Sequence, residues 1–240
     1  DAGSNISVLQ FDVKRGPATP DKNTKEVSLP APQKDFYPGN VNVFENSNIS
    51  FYLPANSLYD TIHFRYDETY PGKNNAVYRL HFPDVPVHGY FPVKIKASFP
   101  ASLRNKVVME RYWQTKTDFS KAEPLSNWNE IGWYKASFRE FGNFQLLIDT
   151  IPPTIAPVGF KEGMNMSKQN RLAFVVTDNT EEVRNFTALL DGKWLRFTND
   201  KGRTFIYTFD ENCPAGEHEL IVSAEDCVGN ITQRVYHFVR

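Results

Sequence analysis

Apolar side chains in this chain recur at every second position, in one short run after another. Leu172, Phe174 and Val176 share a face, as do Phe205, Tyr207 and Phe209, then His218, Leu220, Val222 and Ala224. The first half repeats the pattern at Ile49, Phe51 and Leu53, at Ile62, Phe64 and Tyr66, at Tyr78, Leu80 and Phe82, and at Val93, Ile95 and Ala97. A period of two is that of a strand with one face buried, whereas a helix would bury positions three and four apart. No window of ten or more residues shows the helical period. The chain is therefore expected to be all-β. Its 40% hydrophobic residues suffice for a core, and 19 Phe with 11 Tyr supply side chains that suit pleated, half-buried surfaces.

Proline sets the domain organisation. Asp149-Thr150-Ile151-Pro152-Pro153-Thr154 interrupts strand-like sequence on both sides, and tandem prolines can neither donate to a ladder nor bend freely. Two β-sandwich domains in tandem are expected, spanning 45–150 and 151–240. The second carries about seven short alternating runs, the count of an immunoglobulin- or fibronectin-like sandwich. Within it, Asp191-Gly192 joins Phe186–Leu190 to Lys193–Phe197 as a two-residue hairpin turn, both positions tolerating positive φ. Residues 1–44 are expected to hold a strand near Ile6–Val13 and a Pro-rich irregular segment over 15–40.

Charge excludes some partners. A formal net charge of -1, with no long run of one sign, argues against nucleic acid. No stretch approaches the roughly 20 apolar residues of a transmembrane helix, and no basic segment followed by an apolar one marks a signal peptide. Cys213 and Cys227 flank an alternating run over Glu217–Glu225; a strand of that length spans roughly 30 Å, and a disulfide between them is not expected.

Catalytic constellations are hard to assemble. His63 and Asp67 have the spacing of a His-x-x-x-Asp zinc motif, but on a flat strand they stand about 13 Å apart, too far to share one ion. His81, His88, His218 and His237 are scattered without ligand spacing, and neither a nucleophile elbow nor a phosphate-binding Gly-rich loop occurs.

Two groups of residues remain as binding candidates. Trp113 and Trp128 could present a stacking face to a sugar or a protein partner, or fill the core, the role expected of Trp133. Asp178, Asn179, Glu181 and Glu182 lie on one turn of the second domain, and Asp226 and Asn230 on another. Turns at one end of a sandwich converge, so Asp178, Asp226 and Asn230 are candidate calcium ligands; ordinary Asx-turn chemistry is the alternative.

Several motifs resemble a known family. Ile49-Ser50-Phe51-Tyr52-Leu53-Pro54-Ala55-Asn56-Ser57-Leu58-Tyr59-Asp60, with Pro92-Val93-Lys94-Ile95 downstream, resembles the β-domain shared by zona-occludens proteins, ankyrins and netrin receptors. Phe141-Gly142-Asn143-Phe144 is similar to the closing element of such domains. The order of that sandwich, Arg139–Phe144, Asp149–Pro153 and an Ig-like domain resembles the C-terminal region of lysostaphin-like zinc endopeptidases of Gram-negative gut bacteria, over roughly residues 45–240. The peptidase domain of that family needs a His-x-x-x-Asp motif and a later His-x-His pair around zinc, and no His-x-His occurs in this chain. The resemblance implies a non-catalytic module of the periplasm or cell surface, possessing no enzyme activity, in a precursor that could carry a lipid anchor. Such a module would position or anchor a cell-wall peptidase, or bind an envelope glycan or protein partner; an independent adhesion or carbohydrate-binding protein is the alternative.

Overall fold

The alternating runs become the inward faces of four sheets in the computed structural model, which describes residues 31–72, 75–127, 130–180, 183–199 and 203–240. The first sandwich contains β1 (Pro32–Phe36), β2 (Asn42–Glu45), β3 (Ile49–Leu53), β4 (Ile62–Gly72), β5 (Asn75–Leu80) and β6 (Phe91–Lys96). A 3-10 turn at Ala101–Lys106 leads to β7 (Val107–Trp113), β8 (Lys116–Lys121), β9 (Glu123–Pro124), β10 (Trp133–Phe138) and β11 (Gly142–Ile148). One sheet runs β1-β4-β5-β11-β7-β8 and the other β2-β3-β6-β10-β9.

Side-chain alternation fills the space between them. Ile49, Phe51 and Leu53 point inward from β3, and Phe91, Val93 and Ile95 from β6. The facing sheet contributes Phe36, Phe64, Leu80, Met109 and Phe144. Phe36 stacks on Phe64 with ring centroids 4.8 Å apart, and Phe51 and Phe91 each lie against Phe141. Fully burying each such ring contributes about 1.5–3 kcal/mol.

The sandwich begins earlier than residue 45, and the segment expected to be irregular over 15–40 contains a strand. β1 pairs antiparallel with β4, with a register irregularity between Pro32 and Lys34. An edge position explains why a proline is tolerated there, since one side of an edge strand needs no ladder donor. Phe36 closes the core from this strand. The strand expected near Ile6–Val13 lies outside the described residues.

The second sandwich holds β12 (Thr154–Pro157), β13 (Met164–Asn165), β14 (Arg171–Thr177), β15 (Val183–Leu190), β16 (Lys193–Trp194), β17 (Thr198–Asn199), β18 (Thr204–Thr208), β19 (Glu217–Asp226) and β20 (Ile231–Val239). Its sheets run β12-β14-β18-β17 and β13-β20-β19-β15-β16, antiparallel apart from the short β13–β20 pair. Leu172, Phe174 and Val176 face Leu220, Val222 and Ala224 across a core closed by Phe160, Tyr207 and Phe238. Asp191 and Gly192 take φ of 50° and 79°, the two-residue turn expected between β15 and β16. Past Trp194, Leu195 points into the core and its N–H still donates to the Ala188 carbonyl of β15 at 2.9 Å.

Among the described residues every ladder stays within one sandwich, yet the two are tied together. Lys106 Nζ donates to the Val228 carbonyl at 3.1 Å and to Asn230 Oδ1 at 2.7 Å. Asn230 Nδ2 donates in turn to the Asp149 carbonyl at 3.1 Å. Beside these bonds, Val108, Cys227 and Val228 form a small apolar cluster with Phe119 and Leu147. The outer face of the first sandwich is thus seated against the β19–β20 turn.

Candidate functional site

The junction brings together three carboxylates from three separate pieces of chain. Asp149 ends the first sandwich, where its N–H continues the β11 ladder by donating to the Lys106 carbonyl at 2.8 Å. Asp178 sits in the turn after β14. Asp226 closes β19. One oxygen of each lies within 4.8 Å of the other two.

Local turn chemistry fixes every member. Asp226 Oδ1 accepts the N–H groups of Val228 (2.9 Å) and Asn230 (2.8 Å), and its Oδ2 accepts Asn230 Nδ2 at 2.6 Å. Gly229 supplies the positive φ, 79°, that lets the chain curl around that carboxylate. Asp178 Oδ2 accepts the Thr180 N–H (2.9 Å) and the Thr180 hydroxyl (2.5 Å). Asp149 Oδ1 accepts the Ile151 N–H at 3.0 Å and Asn179 Nδ2 at 3.2 Å. Two oxygens are left over. Asp149 Oδ2 and Asp178 Oδ1 are shielded from solvent and accept no hydrogen bond from the described residues.

The electrostatics follow from that placement. Asp149 is only 2% exposed, and Asp226 is fully buried. Burial is the first cause pushing the Asp149 carboxyl above its usual range; the Ile151 N–H and Asn179 amide offset part of it, and the charges of Asp226 and Asp178 add to it.

Of the expected calcium set, Asp178 and Asp226 converge. Asn230 does not serve as a ligand: its Oδ1 receives Lys106 and its Nδ2 donates to Asp226 and Asp149. Turning the amide over would set its NH2 against an ammonium and its oxygen against a carboxylate, so the network fixes the orientation. Asn230 is a clamp between the sandwiches instead. Asp149 was not legible as a member, because its partners are 29 and 77 residues away by sequence. Glu181 and Glu182 lie outside the described residues.

The histidines are dispersed. His63 Nδ1 faces Asp35 at 2.6 Å, while Asp67, also on β4, turns toward Arg79 of the neighbouring β5 at 3.9 Å. His218 meets Asp191 at 2.7 Å, His237 meets Glu162 at 2.7 Å, and His88 bonds Tyr59 at 3.2 Å. His81 is buried against Phe64, Phe82 and Phe141. Each has its own neighbour and none joins another.

The tryptophans differ from one another. Trp113 is half-buried, with the Arg79 guanidinium 5.7 Å above its ring and Phe82 edge-on at 5.7 Å. Trp133 is also half-buried, under Lys96. Trp128 lies outside the described residues. Trp194, absent from the sequence candidates, is 68% exposed beside the Asp191-Gly192 turn.

The Phe141-Gly142-Asn143-Phe144 motif has a structural explanation. Arg111 is fully buried, and its Nε and Nη2 donate to the Phe141 carbonyl at 2.9 and 2.7 Å. Asp118 and Glu140 neutralise it at 3.2 and 2.7 Å. Gly142 is required where it stands: its φ is 149°, and a Cβ would come within 3.1 Å of both Arg111 Nε and the Tyr112 carbonyl.

These features define a tandem β-sandwich protein whose second domain is of the immunoglobulin/fibronectin type. Residues 33–149, the first sandwich, match the family model of the Zu5-like domain. No match is found among curated proteins. Solved structures with similarity include an endo-β-1,4-mannanase from Thermotoga petrophila, 16% identical over 38% of this chain and 20% of that one, with a TM-score of 0.33. The fibronectin(III)-like modules of Clostridium thermocellum CbhA are 13% identical over 62% of this chain and 83% of theirs, with a TM-score of 0.28. A polysaccharide lyase is 8% identical over 83% of this chain and 35% of its own, with a TM-score of 0.25. The chain thus spans about a fifth of the mannanase and a third of the lyase. At such scores these likenesses carry no argument about ligand or activity.

Proposed function

We propose that this chain is a non-catalytic accessory module of a cell-envelope protein, one that positions or anchors a cell-wall peptidase and holds an envelope glycan or protein. The observation that carries the reading is the built junction. A Zu5-like sandwich is bonded to an Ig-like one through Lys106, Asn230 and Asp149, which makes a stiff spacer rather than beads on a flexible string. The dispersed histidines support the same reading, since zinc hydrolases need three ligands around one ion and an open position for water. A location in the periplasm or at the cell surface belongs to this proposal.

A second reading, an independent adhesion or carbohydrate-binding protein, draws on Trp194. An exposed indole beside a tight turn is a side chain able to stack on a sugar ring.

The test uses purified cell walls. The protein is expected to co-sediment with them and to release no muropeptide when zinc is supplied. Stoichiometric zinc after dialysis, with chelator-sensitive hydrolysis, would overturn the first reading. Binding to cell walls that Trp194→Ala abolishes, with no effect on a co-expressed peptidase, would favour the second.

A further inference from the structure

The junction carboxylates pose a question that hydrogen bonding does not answer. Three acidic side chains share a space less than 5 Å across, and the polar donors nearby are already committed. Asn179 and the Ile151 N–H serve one oxygen of Asp149, Thr180 serves one oxygen of Asp178, and Asn230 with Val228 serves Asp226. Lys106, which reaches the same junction, gives its bonds to Asn230 and Val228 rather than to a carboxylate. Among the described residues, Asp149 Oδ2 and Asp178 Oδ1 are therefore buried acceptors without a donor. A buried carboxylate oxygen left unsatisfied costs more than a surface one, and like charges beside it add to the cost.

We infer that Asp149, Asp178 and Asp226 bind one calcium ion, which pins the link between the two sandwiches to the loops of the second. The donor chemistry selects the ion. All three groups are hard oxygen donors with no imidazole or thiolate among them, which disfavours zinc. Calcium takes six to eight oxygens at 2.3–2.6 Å, so two oxygens on one ion can stand up to about 5 Å apart. The three oxygens, all within 4.8 Å of one another, lie inside that limit. Magnesium, at 2.0–2.1 Å with rigid octahedral demands, fits it less well. Backbone carbonyls and water complete the shell. The hydrogen bonds already made hold the carboxylates in place before the ion arrives. The inference does not depend on the accessory-module reading and would stand if that reading failed.

The full chain is titrated with calcium by calorimetry after chelator treatment, and its thermal unfolding is followed in EDTA, in calcium and in magnesium at matched ionic strength. One calcium per chain and a melting temperature several degrees higher in millimolar calcium are expected, with a smaller shift in magnesium. Asp178→Asn should abolish both the binding heat and the shift. In EDTA the same variant should melt no lower than the unsubstituted protein, because it removes a charge facing two others while keeping an acceptor for Thr180. Absence of calcium heat and of any shift in the unsubstituted protein would overturn the inference and leave a shared proton or a water as the satisfier of those oxygens. A response to magnesium equal to that with calcium would overturn the choice of ion, and a shift retained in Asp178→Asn would overturn the site.

Discussion

His218 shows how one side chain can tie a hairpin to a neighbouring loop. Its ring is nearly buried, with Nδ1 2.7 Å from Asp191 Oδ2 and Nε2 2.7 Å from the Pro214 carbonyl. Burial alone would lower its pKa, but the Asp191 carboxylate and the Pro214 carbonyl outweigh that, and the net direction is upward. Both nitrogens face acceptors, so the imidazolium, which donates from both, is the form the fold prefers. A raised pKa in the folded state means that the folded protein binds the proton more tightly than the unfolded chain. The stabilisation is then complete below the ordinary histidine pKa of about 6.5 and is lost as pH rises through the folded value. Asp191 is held below its usual range, so its share disappears only in stronger acid. The difference in melting temperature between the unsubstituted protein and His218→Gln should accordingly be largest near pH 5–6 and shrink above neutrality. A difference that grows with pH would contradict this account.

At the scale of elements, the corner between β10 and β11 shows what a short motif can hide. Arg139 to Phe144 reads in sequence as a family signature, while its physical meaning lies in a buried guanidinium from β7, roughly thirty residues upstream. Arg111 bonds the Phe141 carbonyl twice and leaves no room for a Cβ at the next residue. Gly142→Ala should destabilise the first sandwich by about 1–3 kcal/mol, combining an unfavourable φ with displacement of the arginine. Urea unfolding would measure it, and a loss under about 0.5 kcal/mol would show that the corner relaxes freely.

The same scale shows how much of the fold was legible. Alternation placed Leu172, Phe174 and Val176 and their partners Leu220, Val222 and Ala224 on inward faces, because a period of two leaves one choice of face once a core exists. The Asp191-Gly192 hairpin was legible because both residues take positive φ. β1 was hidden: prolines around it resemble a linker, and only its partner β4 turns that segment into an edge strand. The acidic site was half visible. Asp178 and Asp226 occupy recognisable turns, while Asp149 enters the cluster through tertiary contacts that no local pattern encodes.

At the scale of the whole molecule, the two thiols fall in places that report on different events. Cys213 belongs to the core of the second sandwich, and Cys227 to the apolar cluster between the sandwiches. Burial pushes the Cys213 thiol up to about 11, so at neutral pH it is almost wholly protonated and unreactive while the fold is intact. Alkylation of each cysteine thus becomes a clock for a separate opening motion: Cys213 should react only when the second domain unfolds, and Cys227 also when the sandwiches part. Lys106→Met, which removes the ammonium bridging Val228 and Asn230, should speed labelling of Cys227 while leaving Cys213 unchanged, as read by mass spectrometry of the quenched protein. Equal acceleration at both would mean that the domains open as one. With Cys227 alone accelerated, the chain carries, in two ordinary side chains, a built-in means of telling hinge from collapse without any added probe.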